Sequence, residues 1–178
     1  MDTQTFWKLI ETARTDTPPD EVAVRAATLL AAFPPAEIAE AQQVLWDLLA
    51  ESYRSPLWAA AYLINGGCSD DGFDYFRGWL LVQGEEVFTR ALTDPDSLAD
   101  HPGVRAAAAE GLDLWDEGTL SIAWSAYKTA TGRELPDGSF TIRYPALDPS
   151  WGFDFDDTEE MTSRLPRLSA LLTGPDHT

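Results

Sequence analysis

Cysteine and long apolar runs are scarce in this chain of 178 residues. Its single cysteine cannot form an intrachain disulfide, which favours a reducing, cytoplasmic location. No apolar run approaches the roughly 18 residues that a membrane-spanning helix requires. The first residues also lack the basic and apolar regions of a secretory signal. We therefore expect a cytoplasmic protein that does not enter a membrane.

Basic residues are scarce as well, with 12 lysines and arginines against 30 aspartates and glutamates. The resulting formal net charge of −18 repels phosphate backbones, so we expect no binding of nucleic acid. The acidic residues are spread along the chain rather than gathered in one tail. This charge favours a partner with a basic surface, although it identifies none.

Apolar residues are plentiful: 44% of the chain is hydrophobic, and seven residues are tryptophan. This composition is typical of a globular protein and is too apolar for a disordered acidic chain. A chain of this length buries about 70% of its extended surface on folding. It can therefore form one hydrophobic core without a disulfide or a structural metal.

Helical spacing of apolar residues dominates the chain up to about residue 132. Prolines, glycines and capping residues separate these stretches. The residues that we expect to cap helices are Asp2, Asp20, Ser55, Asp94, His101 and Thr119. We also expect residues 70–90 to form one helical stretch, in which Gly84 marks a kink or a close crossing. We predict an all-α fold, a compact single-domain helical bundle of about six to eight helices.

The pattern changes after about residue 135. Residues 140–144 alternate apolar and polar side chains, which predicts one short strand. Residues 145–160 are acidic and without clear periodicity, and residues 166–172 predict a last short helix. We expect residues 1–135 to form the helical domain and residues 136–178 to form an irregular, acidic C-terminal extension packed on it.

One acidic turn stands out between two predicted helices. Asn65 and the two glycines after it stop the first helix, and Ser69, Asp70 or Asp71 can cap the second. Asp70, Asp74 and Arg77 fall within about 60° of one another on that helix, and Asp74 and Arg77 are spaced as an ion pair. Phe76 and Trp79 flank Arg77. We therefore expect Arg77 to be partly buried and to need these carboxylates or nearby carbonyls.

The same segment carries a family resemblance. Its residues from Gly67 read Gly-Cys-Ser-Asp-Asp-x-Phe-x-x-Phe-Arg-x-Trp-Leu, and the N-terminal Phe6-Trp7-x-x-Ile10 accompanies them. Over roughly residues 3–130 the chain resembles a bacterial family catalogued as a domain of unknown function, number 4240. The composition, rich in alanine and acidic residues, is similar to that of a high-GC actinobacterium. The resemblance implies a compact, mainly helical fold and implies no activity, cofactor or catalytic residue.

Three chemical interpretations compete with purely structural ones. Asp70, Asp71 and Asp74 can bind a divalent cation, but helix capping and pairing with Arg77 explain them without a metal. Cys68 or Ser69, with His101 as base, can act as a nucleophile if the helix N-terminus lowers the cysteine pKa; an inert cysteine is the alternative. The acids in residues 154–160 can bind calcium, although they lack EF-hand spacing. We expect no metal and no cofactor.

These considerations give two sets of candidate residues. The candidate functional cluster is Asp70, Asp71, Asp74 and Arg77. The candidate contacts for a partner or ligand are the aromatic residues Trp58, Tyr62, Trp79 and Trp151.

The function that we expect is a non-catalytic module that binds a protein with a basic surface or a small ligand, as a monomer or a homodimer. Two alternatives stay open. One is an enzyme resembling a hydrolase or transferase, with an Asp/Arg site that can use a divalent metal. The other is an immunity-type inhibitor of a basic toxin.

Overall fold

Helices form all the regular secondary structure of residues 1–172, the part of the chain that our computed structural model describes. This confirms the predicted all-α class. Four short 3₁₀ helices accompany the α-helices: Pro19–Glu21, Pro95–Asp100, Gly118–Ser121 and Pro149–Trp151. The α-helices are α1 (Thr3–Arg14), α2 (Val22–Leu30), α3 (Pro35–Glu51), α4 (Ser55–Asn65), α5 (Asp70–Val82), α6 (Glu85–Thr93), α7 (Pro102–Glu110), α8 (Ile122–Thr131), α9 (Thr158–Arg164) and α10 (Pro166–Leu172).

Several helix ends lie where the sequence predicts them. The Asp2 carboxylate accepts a hydrogen bond from the Thr5 amide, and the Ser69 hydroxyl accepts one from the Gly72 amide. Helix α4 ends at Gly66, whose φ of 62° is the left-handed conformation that glycine adopts most readily. The end of α4 and the start of α5 are therefore determined by neighbouring residues.

Three predicted caps are wrong. Asp20 lies inside the 3₁₀ helix Pro19–Glu21, and α2 begins at Val22 without a side-chain cap. Ser55 is the first residue inside α4, and its hydroxyl donates to the carbonyl oxygen of Asp148 at 3.3 Å instead of capping the helix. Thr119 lies in a 3₁₀ helix before α8, where its amide and hydroxyl both donate to the Asp116 carboxylate. The Ser55 hydroxyl is thus taken by a distant segment, and the Thr119 hydroxyl by a residue three positions earlier.

The predicted helical stretch over residues 70–90 is broken in the structure. Gly84 adopts a φ of +96° between α5 and α6, so the chain turns there rather than kinks. A side chain at this position would also overlap the Arg14 guanidinium, at 2.2 Å, and the Glu11 carboxylate, at 2.3 Å, on α1. The break therefore follows from the backbone conformation at Gly84, and the side chains of Arg14 and Glu11 on α1 lie beside it.

Helix α5 lies in the hydrophobic core. Its Phe73, Phe76 and Leu80 are fully buried, together with Phe6 and Ile10 of α1. Helix α3 contributes a further buried stripe, and α2 packs between α1 and α8. The core joins these helices with α4, α6 and the C-terminal pair α9 and α10 into one continuous cluster. At about 25 cal/mol per Å² of buried apolar surface, this cluster is the main source of stability.

The strand predicted at residues 140–144 does not form, and residues 1–172 contain no strand at all. The segment has no regular secondary structure, because no second strand lies beside it within residues 1–172 to complete a ladder. It packs instead on α3 through side chains. We call residues 139–148 the strap. The extension is also less irregular than expected, because α9 and α10 follow the strap; residues 173–178 lie outside the described residues.

A buried carboxylate connects α10 to the core, and its removal gives a testable prediction. Asp96 accepts hydrogen bonds from the amides of Arg167, at 3.0 Å, and Leu168, at 2.9 Å, across more than 70 residues of sequence. Asp96→Ala leaves both amides without this acceptor, so we expect a loss of about 1 to 2 kcal/mol in the free energy of unfolding. Urea unfolding measures the loss.

The control for Asp96→Ala is Asp94→Ala. Asp94 is exposed, and its carboxylate lies 3.9 Å from the Arg167 guanidinium. We expect a change below about 0.5 kcal/mol for this variant. Equal losses for the two variants would contradict the capping role of Asp96.

Candidate functional site

Arg77 is the most deeply buried charged residue of the candidate cluster, with 1% of its side chain exposed. Its Nε donates to the carbonyl oxygen of Phe73 at 3.2 Å, and its other two nitrogens donate to the Leu49 carbonyl and the Asp74 carboxylate. The guanidinium also lies over the Phe73 ring, at 4.7 Å from the centroid, and over Tyr53. Every nitrogen of the cation therefore has an acceptor within the protein.

Burial lowers the pKa of Arg77, while the neighbouring Asp74 carboxylate opposes that shift. Asp74 in turn accepts a hydrogen bond from the Tyr144 hydroxyl of the strap at 3.1 Å. Helix α5, the end of α3 and the strap thus meet at one ion pair. The predicted pairing of Asp74 with Arg77 is confirmed, and Arg77 is more buried than the sequence led us to expect.

Asp70 and Asp71 lie in the first turn of α5, and both are exposed. Neither carboxylate bonds to Arg77, whose acceptors are Phe73, Leu49 and Asp74. Their position suits the positive end of the helix dipole. The structure therefore separates the candidate cluster into an internal pair, Asp74 and Arg77, and a surface pair, Asp70 and Asp71.

Cys68 lies just before α5, a position at which the helix N-terminus could lower the pKa of its thiol. Burial instead raises the pKa of its thiol to about 12. The thiol therefore remains protonated at neutral pH, which removes the thiolate that nucleophilic catalysis requires. Its carbonyl oxygen accepts a hydrogen bond from the Trp58 indole at 3.0 Å, so the residue helps to fix the turn.

The four candidate aromatic contacts all pack against other parts of the protein. Trp58 stacks on Phe73 with ring centroids 4.7 Å apart. Tyr62 donates its hydroxyl hydrogen to Asp156 at 2.6 Å. Trp79 is buried against Phe76 and His101, and Trp151 lies under the Arg164 guanidinium.

A different tryptophan is exposed beside the acidic turn. Trp115 has 50% of its surface exposed, and its ring lies 6.4 Å from that of Tyr75 on α5. The Glu117 carboxylate is the main cause of the raised pKa of Tyr75, with burial and Asp71 adding to it, so both acids lie near this side chain. We call Asp71, Tyr75, Trp115 and Glu117 the acidic aromatic face.

The loop that carries Trp115 is fixed on both sides of it. The Asn65 side chain accepts from the Leu114 amide at 2.9 Å and donates to the Leu114 carbonyl at 3.4 Å. The Asp116 amide donates to the Tyr75 carbonyl oxygen at 3.0 Å. Trp115 is therefore held in place while its ring remains accessible, a combination that suits an anchor for a partner.

The acids of residues 154–160 bond to neighbouring groups. Asp157 accepts from the amides of Glu159 and Glu160 at the start of α9, and Glu160 pairs with Arg164. Within residues 1–172 no group of three or more histidine, cysteine, aspartate or glutamate side chains converges to hold a metal ion. No helix in this range is long and apolar enough to cross a membrane.

The family description "Protein of unknown function (DUF4240)" matches residues 1–129. The chain belongs to this family. The DUF4240 match confirms the resemblance seen in the sequence, and it contains both the internal Asp74–Arg77 pair and the acidic aromatic face. The strap, with Tyr144, lies beyond the DUF4240 match. No curated protein and no solved structure matches the chain.

Sequence reasoning missed three contact residues: Trp115 beside Tyr75, Tyr144 on Asp74, and Gln43 on the strap. Trp115 lies in a loop without periodicity, so its exposure had no signal in the sequence. Tyr144 meets Asp74 across 70 residues, and Gln43 meets Thr141 across 98. Only the acid-rich run from Asp113 to Glu117 around a tryptophan hinted at a surface role.

His101 gives a prediction for the pH dependence of stability. Its Nδ1 accepts a hydrogen bond from the Gly103 amide at 3.2 Å, capping α7, and burial lowers its pKa from the usual 6.5. A lowered pKa in the folded protein means that the unfolded chain takes up the proton first as pH falls. The stabilising contribution is therefore complete above about pH 6.5 and is lost as pH falls through the folded pKa.

The measurement is urea unfolding of the wild type and of His101→Asn between pH 7.5 and 5.5. Asparagine is a good helix cap that does not titrate, so we expect its free energy of unfolding to fall less over this range. Because both proteins keep His177 and all carboxyl groups, the difference between their slopes isolates His101. Parallel slopes would contradict the prediction.

Proposed function

We propose that the protein is a non-catalytic module that binds a basic segment of another protein on the acidic aromatic face. The observation that carries this proposal is Trp115, an exposed aromatic ring held in place by hydrogen bonds on either side. Aromatic anchors that are already fixed lose little conformational freedom on binding. The proposal keeps Asp71 of the predicted cluster in the binding surface and leaves Asp74 in the internal pair with Arg77.

Charge complementarity supports a basic partner. The carboxylates of Glu117 and Asp71 lie near Tyr75, and the whole chain carries a formal net charge of −18. Such a field speeds the encounter with a cationic segment and repels an anionic one. Binding should therefore weaken as salt is added, because added ions screen the attraction.

The alternative of an enzyme built on Asp74 and Arg77 is less well supported. The cation is buried, and the Phe73 carbonyl, the Leu49 carbonyl and Asp74 already occupy its nitrogens. Acid–base catalysis requires a titratable group that reaches the substrate.

The test uses a labelled decapeptide of alternating lysine and leucine as the probe, followed by fluorescence anisotropy. We expect saturable binding to the wild type, and a loss of at least fivefold in affinity for both Trp115→Ala and Asp71→Asn. Both side chains are exposed, so the melting temperature should stay within about 2 °C. The matched control is Glu86→Gln, an exposed acid beyond the other end of α5.

Two results would contradict the proposal. One is an equal loss of affinity for Glu86→Gln, which would mean that only diffuse charge attracts the peptide. The other is unsaturable binding to the wild type. A peptide with glutamate in place of lysine should not bind, and this checks the sign of the charge effect.

A further inference from the structure

We infer that the strap occupies a peptide-binding groove on the DUF4240 domain, from which an extended segment of a partner protein displaces it. The segment that fits is one with an aromatic residue followed, three residues later, by a basic one. The groove is formed by Gln43, Trp46 and Asp47 of α3, Trp124 of α8 and Asp74 of α5. This inference goes beyond the proposed function, because it assigns a second surface that the protein itself covers.

The groove begins with an aromatic pocket. The Phe140 ring lies parallel to Trp46, at 6.2 Å between centroids and 5° between planes, and edge-on to Trp124 at the same distance. Two tryptophans therefore hold one ring from two directions. The indole N–H of Trp46 is buried without a hydrogen-bond partner within residues 1–172. The strap thus leaves one donor of this pocket unused, and a partner segment has an acceptor to offer it.

The second part of the groove recognises main chain rather than side chain. The Gln43 amide accepts from the Thr141 amide at 2.7 Å and donates to the Thr141 carbonyl oxygen at 3.2 Å. One side chain thus makes both bonds that a neighbouring strand would make to that residue. Such a contact holds any extended backbone in register, whatever its side chain at that point.

The third part of the groove is acidic. Asp47, one turn along α3 from Gln43, accepts from the Arg143 guanidinium at 2.6 Å, and Asp74 accepts from the Tyr144 hydroxyl. The three contacts follow one another along the strap as aromatic ring, backbone and basic side chain. Together they define the chemistry of a partner segment as extended, aromatic and basic. The strongly acidic chain around the groove favours the same partner.

The strap is attached weakly enough to be displaced. Residues 141–148 are all exposed, Tyr144 by 54%. The structure shows no hydrogen bond from backbone to backbone for residues 140–147, and each of their hydrogen bonds has a side chain on at least one side. The two ends are anchored separately, by the buried Leu135 before the strap and by the bond from Ser55 to Asp148 at its end. Residues 140–147 can therefore lift away while α9 and α10 remain docked.

The test adds the strap back as a separate peptide. The probe is a fluorescein-labelled peptide of residues 136–148, added to the full chain as wild type and as Phe140→Ala. In the wild type the resident strap competes at an effective concentration of roughly millimolar. Phe140→Ala weakens that competitor and leaves the groove intact, so we expect the probe to bind this variant at least tenfold more tightly than the wild type.

Three controls define the site. A probe with alanine at the position of Phe140 should not bind. Adding Asp47→Asn to Phe140→Ala should lower the affinity for the probe at least threefold. Adding Glu51→Gln, an exposed position one turn further along α3, should leave that affinity unchanged. The lysine–leucine peptide should bind Phe140→Ala as it binds the wild type, so failure of this inference and failure of the proposed function can be told apart.

If Phe140→Ala fails to fold, hydrogen exchange of the wild type tests the inference instead. The Thr141 amide, which donates to Gln43, should exchange through a local opening that leaves the amides of α3 and α8 protected. Exchange of Thr141 only upon global unfolding would overturn the inference. So would the absence of saturable probe binding to a folded Phe140→Ala chain, or a concentration-dependent dimer in which a second copy supplies the strap.

Discussion

Arg77→Met should lower the free energy of unfolding by about 3 to 5 kcal/mol, because it removes one partner of a buried ion pair. Methionine fills much of the same volume but donates no hydrogen bond. The Leu49 and Phe73 carbonyls lose a donor, and Asp74, with 17% of its side chain exposed, loses its cation. For a chain of this size the melting temperature should fall by roughly 10 °C. Urea unfolding followed by tryptophan fluorescence gives the free energy directly.

Two further variants test whether the loss in Arg77→Met comes from the buried ion pair. Arg105→Met removes an exposed arginine, 59% of whose side chain is accessible, from a 3.5 Å contact with Asp100, and should cost less than about 0.5 kcal/mol. Asp74→Leu combined with Arg77→Met removes both charges, so it should recover part of the loss. A cost below about 1 kcal/mol for Arg77→Met alone would mean that the buried cation does not hold these segments together.

The parts of this fold that the sequence predicts are those that depend on neighbouring residues. The cap of Ser69, the left-handed Gly66 and the pairing of Asp74 with Arg77 each involve residues no more than four apart. All the interactions that determine these three features lie within about one turn of helix. The same holds for the cap of α7, where His101 precedes Pro102.

The parts that the sequence did not predict depend on contacts between distant segments. The alternation of residues 140–144 suits a strand, but a strand needs a partner, and Gln43 takes that place 98 residues away. The break at Gly84 also depends on α1, whose Arg14 and Glu11 fill the space beside it. Periodicity within one segment carries no information about which other segment will pack against it.

The same distinction between local and long-range contacts applies to the candidate site. Sequence spacing placed Asp70, Asp74 and Arg77 on one helix, and this much is correct. It did not separate the internal pair from the exposed acids, because that separation depends on Leu49 and Tyr144 from other elements. The exposure of Trp115 likewise depends on how its loop is fixed to Asn65 and Tyr75.

Gly78→Ala should cost about 3 kcal/mol of the free energy of unfolding, although alanine is the better helix former by about 1 kcal/mol. The added Cβ would lie 2.4 Å from the carbonyl oxygen of Asp116, well inside contact distance. Asp116 cannot easily move away, because its amide donates to the carbonyl oxygen of Tyr75. Its carboxylate also accepts hydrogen bonds from the amide and the hydroxyl of Thr119. The loop that holds Trp115 must therefore shift.

The shift connects stability with binding, since Trp115 is the anchor of the acidic aromatic face. We expect Gly78→Ala to lower the affinity for the lysine–leucine peptide at least threefold. The measurement is made at a temperature where far-UV circular dichroism shows that the variant is still folded. Gly72→Ala in the same helix is the control, because its Cβ would meet only the Ser69 hydroxyl, at 3.3 Å, and the Cys68 thiol, at 3.8 Å. It should change stability by less than about 1 kcal/mol and leave peptide binding unchanged. A Gly78→Ala protein as stable as the wild type would show that the loop yields freely, and the rigid placement of Trp115 would then lose its physical basis.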